Sequence, residues 1–201
     1  MKRYVLLLVT IIALNYTLSA QMVVIDARSL NIYNGKPKMV IQKDNANDQI
    51  VAHLDTNGKV TMLEYHGNKL TYSWRPDGKR ITCACESEGE TTYDYINIIE
   101  YSDTISHYEV WGYNTKKTFD SLGREVTTDI SEANGWIKVN YTYVEGSSAS
   151  VPICIEATNS NGSTLHQDVI DIKYDDYGNY TEYTTITNGA KTKMKRKIYY
   201  Y

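Results

Sequence analysis

The pair of side chains best suited to chemistry is His107 and Glu109, which are two positions apart in "ISHYEVWGY". Alternate residues of a β-strand face the same side, and a carboxylate beside an imidazole can orient it as a general base. The sequence places no nucleophile beside them and lacks the common motifs of serine hydrolases, zinc proteases and phosphate-binding loops. We therefore expect no catalytic residues, and the alternative is a hydrolase that uses His107 and Glu109.

Aromatic residues near this pair favour binding over catalysis. Trp111 and Tyr113 continue the alternation of His107 and Glu109, and Trp136 alternates with polar residues in the same way. An exposed aromatic ring beside hydrogen-bonding groups is typical of a surface that binds a sugar. The sequence predicts these five residues as ligand-binding candidates, and the alternative is that both tryptophans pack under a loop or a second sheet.

The three cysteines, Cys83, Cys85 and Cys154, allow at most one disulfide. Cys83 and Cys85 lie at the limit of disulfide geometry along a strand. The alternatives are a bridge from either of them to Cys154 and three free thiols. No second Cys-x-Cys or histidine-rich segment accompanies Cys83 and Cys85, which argues against zinc. We expect neither a metal site nor a cofactor.

Short segments that alternate with period two must position these residues, because they recur between clusters of Gly, Asn and Asp. This pattern is typical of strands joined by tight turns, and such short connections place successive strands side by side and antiparallel. The predicted strands are residues 22–27, 38–42, 49–54, 59–65, 69–75, 79–85, 91–101, 105–113, 124–130, 136–144, 151–157, 164–174, 179–187 and 191–200.

Three of the turns share the pattern Asp-x-x-Gly followed by a polar residue. They begin at Asp55 in "DTNGK", at Asp120 in "DSLGR" and at Asp175 in "DDYGN". Glycine supplies the positive φ that such a turn needs, and the aspartate accepts a local backbone hydrogen bond. The separations between the three are unequal, so we interpret them as a degenerate hairpin unit in an irregular meander, with convergent turn chemistry as the alternative.

The segment "YDDYGN", with its echoes "FDSLGRE" and "LDTNGKV", resembles the tyrosine-aspartate (YD) repeats of Rhs-type secreted proteins. In that family Tyr-Asp-x-x-Gly is followed by Arg or Asn and an alternating strand. Two of the three copies here lack the tyrosine, and the chain is far too short for the large encapsulating shells of the family. The chain also resembles small secreted bacterial β proteins of unknown function. Neither resemblance implies an activity or supplies catalytic residues.

The N-terminus has the pattern of a secretory signal peptide. Two basic residues precede an apolar stretch that ends at Leu14, and small residues end at Ala20. The apolar stretch is shorter than the roughly 20 residues that a membrane span requires. We predict a signal peptide over residues 1–20 and a single β-hairpin-rich domain over residues 21–201, secreted to the periplasm, the cell surface or the medium.

Composition narrows the class of protein further. The chain has 19 tyrosines against 1 phenylalanine, and tyrosine suits half-buried sheet surfaces. Its formal net charge of −3 argues against nucleic acid as a partner. Alternate lysines at the C-terminus, which we interpret as the protection of a sheet edge, are also compatible with binding a polyanion or a lipid headgroup. They are Lys191, Lys193, Lys195 and Lys197.

We therefore predict an all-β fold, an antiparallel meander of successive hairpins that forms one extended or curved sheet, with folding into two layers as a variant. The predicted function is a secreted, non-catalytic binding or structural module at the bacterial cell surface or in the periplasm. Its expected partner is a glycan or another surface protein. We expect no nucleic-acid partner and no membrane span.

Overall fold

The protein consists almost entirely of β-strands in the computed structural model, which describes residues 25–43, 49–65, 67–87, 89–145, 147 and 149–201. The predicted signal peptide lies outside these residues. The strands, after one 3₁₀ turn at Arg28–Leu30, are β1 Pro37–Lys43, β2 Gln49–Leu54, β3 Val60–Tyr65, β4 Asn68–Trp74, β5 Arg80–Ser87, β6 Glu90–Tyr101, β7 Ile105–Val110, β8 Tyr113–Phe119, β9 Glu125–Glu132, β10 Gly135–Thr142, β11 Cys154–Asn159, β12 Thr164–Tyr174, β13 Tyr180–Thr187 and β14 Ala190–Tyr200.

The fourteen strands close into a barrel. Each strand pairs antiparallel with the next along the chain, which confirms the predicted all-β meander. β1 also pairs with β14, with Val40 opposite Ile198. The prediction of an extended or curved open sheet is therefore wrong. Because twist accumulates from strand to strand, a long meander brings its first and last strands together, and closure satisfies the backbone groups of both.

Alternation separates a packed inner face from a polar outer face. The inward side chains of β1 to β7 form one apolar core that includes Val40, Leu63 and Ile81, each at most 1% exposed. The inner face of the later strands is more polar, and it buries Lys117 and Glu125. Because these inward side chains are buried, the interior is filled rather than open.

The three Asp-x-x-Gly turns have the same geometry, and all three lie at one end of the barrel. In each, the aspartate carboxylate accepts backbone N–H bonds from the second and fourth residues after it, at 2.8–3.0 Å. In each, the glycine has a φ of 75–78°. Asn159 builds the same turn at the opposite end, with bonds of 3.0 Å. The resemblance to YD-repeat proteins itself stays a prediction.

Residues that precede β1 cover the end of the barrel that carries these three turns. Ile25, Leu30 and Ile32 belong to the apolar core. The buried Arg196 guanidinium donates to the backbone carbonyls of Leu30 and Asn31 and fixes this segment from the C-terminal strand. The strand predicted at residues 22–27 is wrong for its described part, where Asp26 makes only an isolated bridge with Lys59.

The lysines of β14 lie on the outer face, whereas Met194 and Arg196 point inward. The prediction that they protect a sheet edge is wrong, because β14 is paired on both sides. Lys193 and Lys173 instead contact Glu182 at 2.8 and 3.0 Å. Among the described residues, no helix is long and apolar enough to cross a membrane.

Candidate functional site

An outward row of side chains crosses six neighbouring strands, one residue from each. The strand register places each member directly opposite the next. Since neighbouring strands lie about 4.8 Å apart, the part of this row from β6 to β10 spans roughly 19 Å. We call this set the outer row; its members in order are Arg80, Asn97, Glu109, Asn114, Ser131 and Trp136.

Two exposed tyrosines flank one end of the outer row. Tyr93 and Tyr95 point outward from β6 and are 63% and 52% exposed. Their cross-strand partners on β5 are the small residues Ala84 and Thr82. The Arg80 guanidinium lies 5.4 Å from the ring centroid of Tyr95. This part of the sheet therefore presents two exposed aromatic rings, one of them in contact with a guanidinium.

Trp136 marks the other end of the outer row. It points outward from β10 and is 48% exposed, as its alternation with polar residues predicts. Trp74, by contrast, is partly buried and packs against the apolar core, with an edge-to-face contact to Tyr101 at 5.6 Å. The two tryptophans therefore form a matched pair of one outer and one inner residue.

Trp111 and Tyr113 do not share the face of His107 and Glu109. The predicted strand 105–113 is broken by a two-residue turn at Trp111 and Gly112, both with positive φ. Tyr113 pairs with the buried Val110 and so lies on the inner side. Trp111 is 40% exposed at the rim, where its indole N–H donates to Asp94 at 2.8 Å.

His107 and Glu109 do lie on one outer face of β7, as predicted, but no bond joins them among the contacts described. His107 Nε2 instead contacts the amide oxygen of Asn114 at 2.6 Å. Since an amide oxygen only accepts hydrogen bonds, it holds the proton on Nε2. Asn114 is also the cross-strand partner of Glu109. The pair therefore forms part of a polar network around the outer row.

The cysteines separate into two kinds. Cys83 and Cys85 are buried in the apolar core, where burial raises the pKa of the Cys83 thiol to about 12. Cys154 lies on the outer face of β11, which excludes a disulfide between it and either core thiol. All three cysteines are free. The core thiols are inert small hydrophobic side chains.

Metal-binding side chains meet on the outer face of β11 and β12. The Sγ of Cys154, a carboxylate oxygen of Glu156 and a ring nitrogen of His166 lie within 4.8 Å of one another. Hydrogen bonds to Asp168 and Glu156 raise the pKa of His166. Sequence analysis misses this cluster because two strands contribute to it, although "CIE" and "HQD" each alternate potential ligands.

Comparison with solved structures gives distant similarities of fold. No family model matches the chain, and no curated protein matches it. Its fold is similar to that of a porin-like protein from Bacteroides uniformis ATCC 8492, at 7% identity and a TM-score of 0.37, over 83% of this chain and 98% of that one. A superposition at this level carries no argument about function.

Proposed function

We propose that the protein is a secreted, non-catalytic module that binds an extended glycan along the outer row. The observation that carries this proposal is the placement of exposed aromatic rings at both ends of a row of hydrogen-bonding side chains. Tyr95 and Trp136 supply flat apolar faces, and Asn97, Glu109 and Asn114 supply donors and acceptors between them. A sugar chain, which is apolar on ring faces and hydroxylated at ring edges, matches both features.

Hydrogen bonds that hold side chains of the outer row in place support the proposal. Arg80 donates to the amide oxygen of Asn97 at 3.0 Å, and His107 contacts that of Asn114 at 2.6 Å. Side chains that are already held in place lose less conformational entropy when a ligand binds. The filled barrel interior also favours an outer site over an internal one.

The signal-like residues 1–20 support a proposed location in the periplasm, at the cell surface or outside the cell. Charged side chains on the outer face of β12 to β14 favour contact with water rather than with lipid, because a transmembrane barrel carries an outward apolar band. Lys173, Lys193 and Lys195 are examples, with 43–68% of each side chain exposed.

A glycan array followed by titration of the retained sugar tests the proposal. We expect Tyr95→Ala and Trp136→Ala each to weaken binding by roughly 10-fold or more, since stacking of an aromatic ring contributes about 0.5–1.5 kcal/mol beyond its buried area. Both variants should stay folded because both rings are outward. Trp74→Ala is the contrasting inner control, and we expect it to cost about 3–5 kcal/mol of stability.

If the wild-type protein retains no glycan on the array, the proposal is contradicted. Equal glycan affinity of wild type, Tyr95→Ala and Trp136→Ala also contradicts it. The alternative of a hydrolase that uses His107 and Glu109 would gain support only if the protein cleaved a retained glycan and His107→Ala abolished that cleavage. Within the part of the chain that the structure describes, no surface favours the second expected partner, another surface protein, over a glycan.

A further inference from the structure

We propose that the outer face of β11 and β12 carries a zinc-binding site formed by Cys154, Glu156 and His166. The two strands pair so that Cys154 is opposite Asp168 and Glu156 is opposite His166. Four potential ligand side chains therefore occupy adjacent positions of one outer face. This site lies outside the outer row and does not depend on glycan binding.

The three ligand atoms lie within 4.8 Å of one another, close enough for one zinc ion to bind all of them once the imidazole rotates. Zinc binds sulfur at about 2.3 Å and nitrogen or oxygen at about 2.0–2.2 Å, so tetrahedral angles require about 3.6 Å between sulfur and nitrogen and about 3.4 Å between nitrogen and oxygen. In the structure, Cys154 Sγ lies 3.9 Å from His166 Nε2 and 3.6 Å from His166 Nδ1. Glu156 Oε1 lies 3.5 Å from the same nitrogen. Because Cys154 Sγ is nearly equally far from both ring nitrogens, it lies beside the imidazole, and the ring must rotate about its side-chain bonds to direct Nδ1 at the ion.

Asp168 prepares the imidazole for this role. Its Oδ1 lies 3.1 Å from His166 Nε2. A carboxylate there holds the proton on Nε2, which leaves on Nδ1 the lone pair that a metal ligand needs. Zinc-bound histidines usually donate their second ring nitrogen to a carboxylate or carbonyl in this way. Asp168 is thus a positioning residue and not a ligand.

The ligand set selects the class of metal. Thiolate and imidazole together suit zinc and its chemical relatives, whereas magnesium and calcium prefer oxygen ligands alone. Binding moves the Cys154 thiol proton to water, because only the thiolate is a ligand. Three protein ligands leave a fourth position open on the solvent side, as in zinc sites that exchange water or bind a further ligand.

Cobalt(II), a spectroscopic substitute for zinc, provides the test, with zinc titration calorimetry beside it. We expect one ion per chain and a near-ultraviolet thiolate-to-cobalt charge-transfer band. Cys154→Ser should abolish the band, and Asp168→Asn should weaken zinc binding by about 10–100-fold. His53→Ala is the matched control, because His53 faces Glu64 at 3.9 Å on the outer face of β2 and β3. Circular dichroism should be unchanged for all three variants, which alter outer side chains.

Two results would overturn the proposal. The first is the absence of the charge-transfer band when cobalt is added to the wild-type protein. The second is a zinc affinity that Cys154→Ser leaves unchanged, or that His53→Ala lowers as much as Cys154→Ser does. Neither result bears on the outer row, so the metal site and the glycan site stand or fall separately.

Discussion

At the residue scale, the barrel interior encloses an ion pair of Lys117 and Glu125. Their charged atoms lie 2.8 Å apart, and each side chain is 2% exposed. Burial, the largest single effect, lowers the pKa of Lys117, but the attraction of Glu125, Tyr108 and Asp26 and the hydrogen bond to Glu125 together raise it. Thr128 also donates to Glu125. The pair is charged and fully enclosed.

Glu125→Gln should therefore lower the free energy of unfolding by about 3–5 kcal/mol, since it leaves the Lys117 charge buried without a partner. Urea unfolding followed by circular dichroism measures this. Glu86→Gln is the control, because Lys69 and Glu86 lie 3.8 Å apart on the outer face with about half of each side chain exposed, and such pairs contribute about 0–1 kcal/mol. Similar losses for the two variants would show that the inner pair is not enclosed.

A second prediction at this scale concerns pH. Hydrogen bonds from Lys193 and Lys173 lower the pKa of Glu182 to about 2. Because the folded pKa is below that of an unfolded glutamate, about 4.3, the stabilisation is present above that value and is lost as the pH falls towards 2. Carboxyl NMR titration should show this low midpoint in the wild type and a higher one in Lys193→Ala. A midpoint near 4.3 in the wild type would refute the contact.

At the element scale, most strands could be predicted from the sequence because their turns have explicit chemistry. β8 could not, since "NTKKTF" places lysines at inward and outward positions alike. Lys117 points inward only because Glu125 on the next strand receives it, and alternation of apolar residues does not report such a pair. The turn before β8 could not be predicted either, because tryptophan rarely adopts the positive φ that Trp111 has there.

The Asp-x-x-Gly turn gives the prediction at this scale. Gly123 has a φ of +78°, and a Cβ there would meet nothing closer than Tyr33 at 3.9 Å. The cost of Gly123→Ala is therefore conformational alone, about 1–2 kcal/mol. Gly123→Asn should cost less, since asparagine tolerates this conformation better. Urea unfolding decides it, and equal stability of wild type and Gly123→Ala would contradict the turn geometry.

At the scale of the whole molecule, closure of the barrel depends on pairings distant in sequence. The alternation within single strands contains no information about the contact of β1 with β14, and so an open sheet fitted the sequence equally well. The covering segment before β1 could not be predicted for the same reason, because the contact that fixes it joins the Leu30 carbonyl to Arg196 at the far end of the chain.

Leu30→Ala should therefore destabilise the whole barrel, by about 2–5 kcal/mol, although this residue belongs to no strand. Leu122→Ala is the matched control, since Leu122 is 51% exposed in the turn between β8 and β9, and it should change stability by no more than about 0.5 kcal/mol. Thermal denaturation compares the two. If both variants melted like the wild type, the segment before β1 would not be part of the folded core.

The measurement that tests the central claim most directly is a backbone amide NMR titration with the glycan that the array retains. If the protein binds through its outer surface, chemical shifts should change along the outer row, from Asn97 on β6 to Trp136 on β10, while the inward residues of the same strands, such as Ile96 and Val139, change far less. Shift changes centred on inward residues, or on strands outside β5 to β10, would contradict the account.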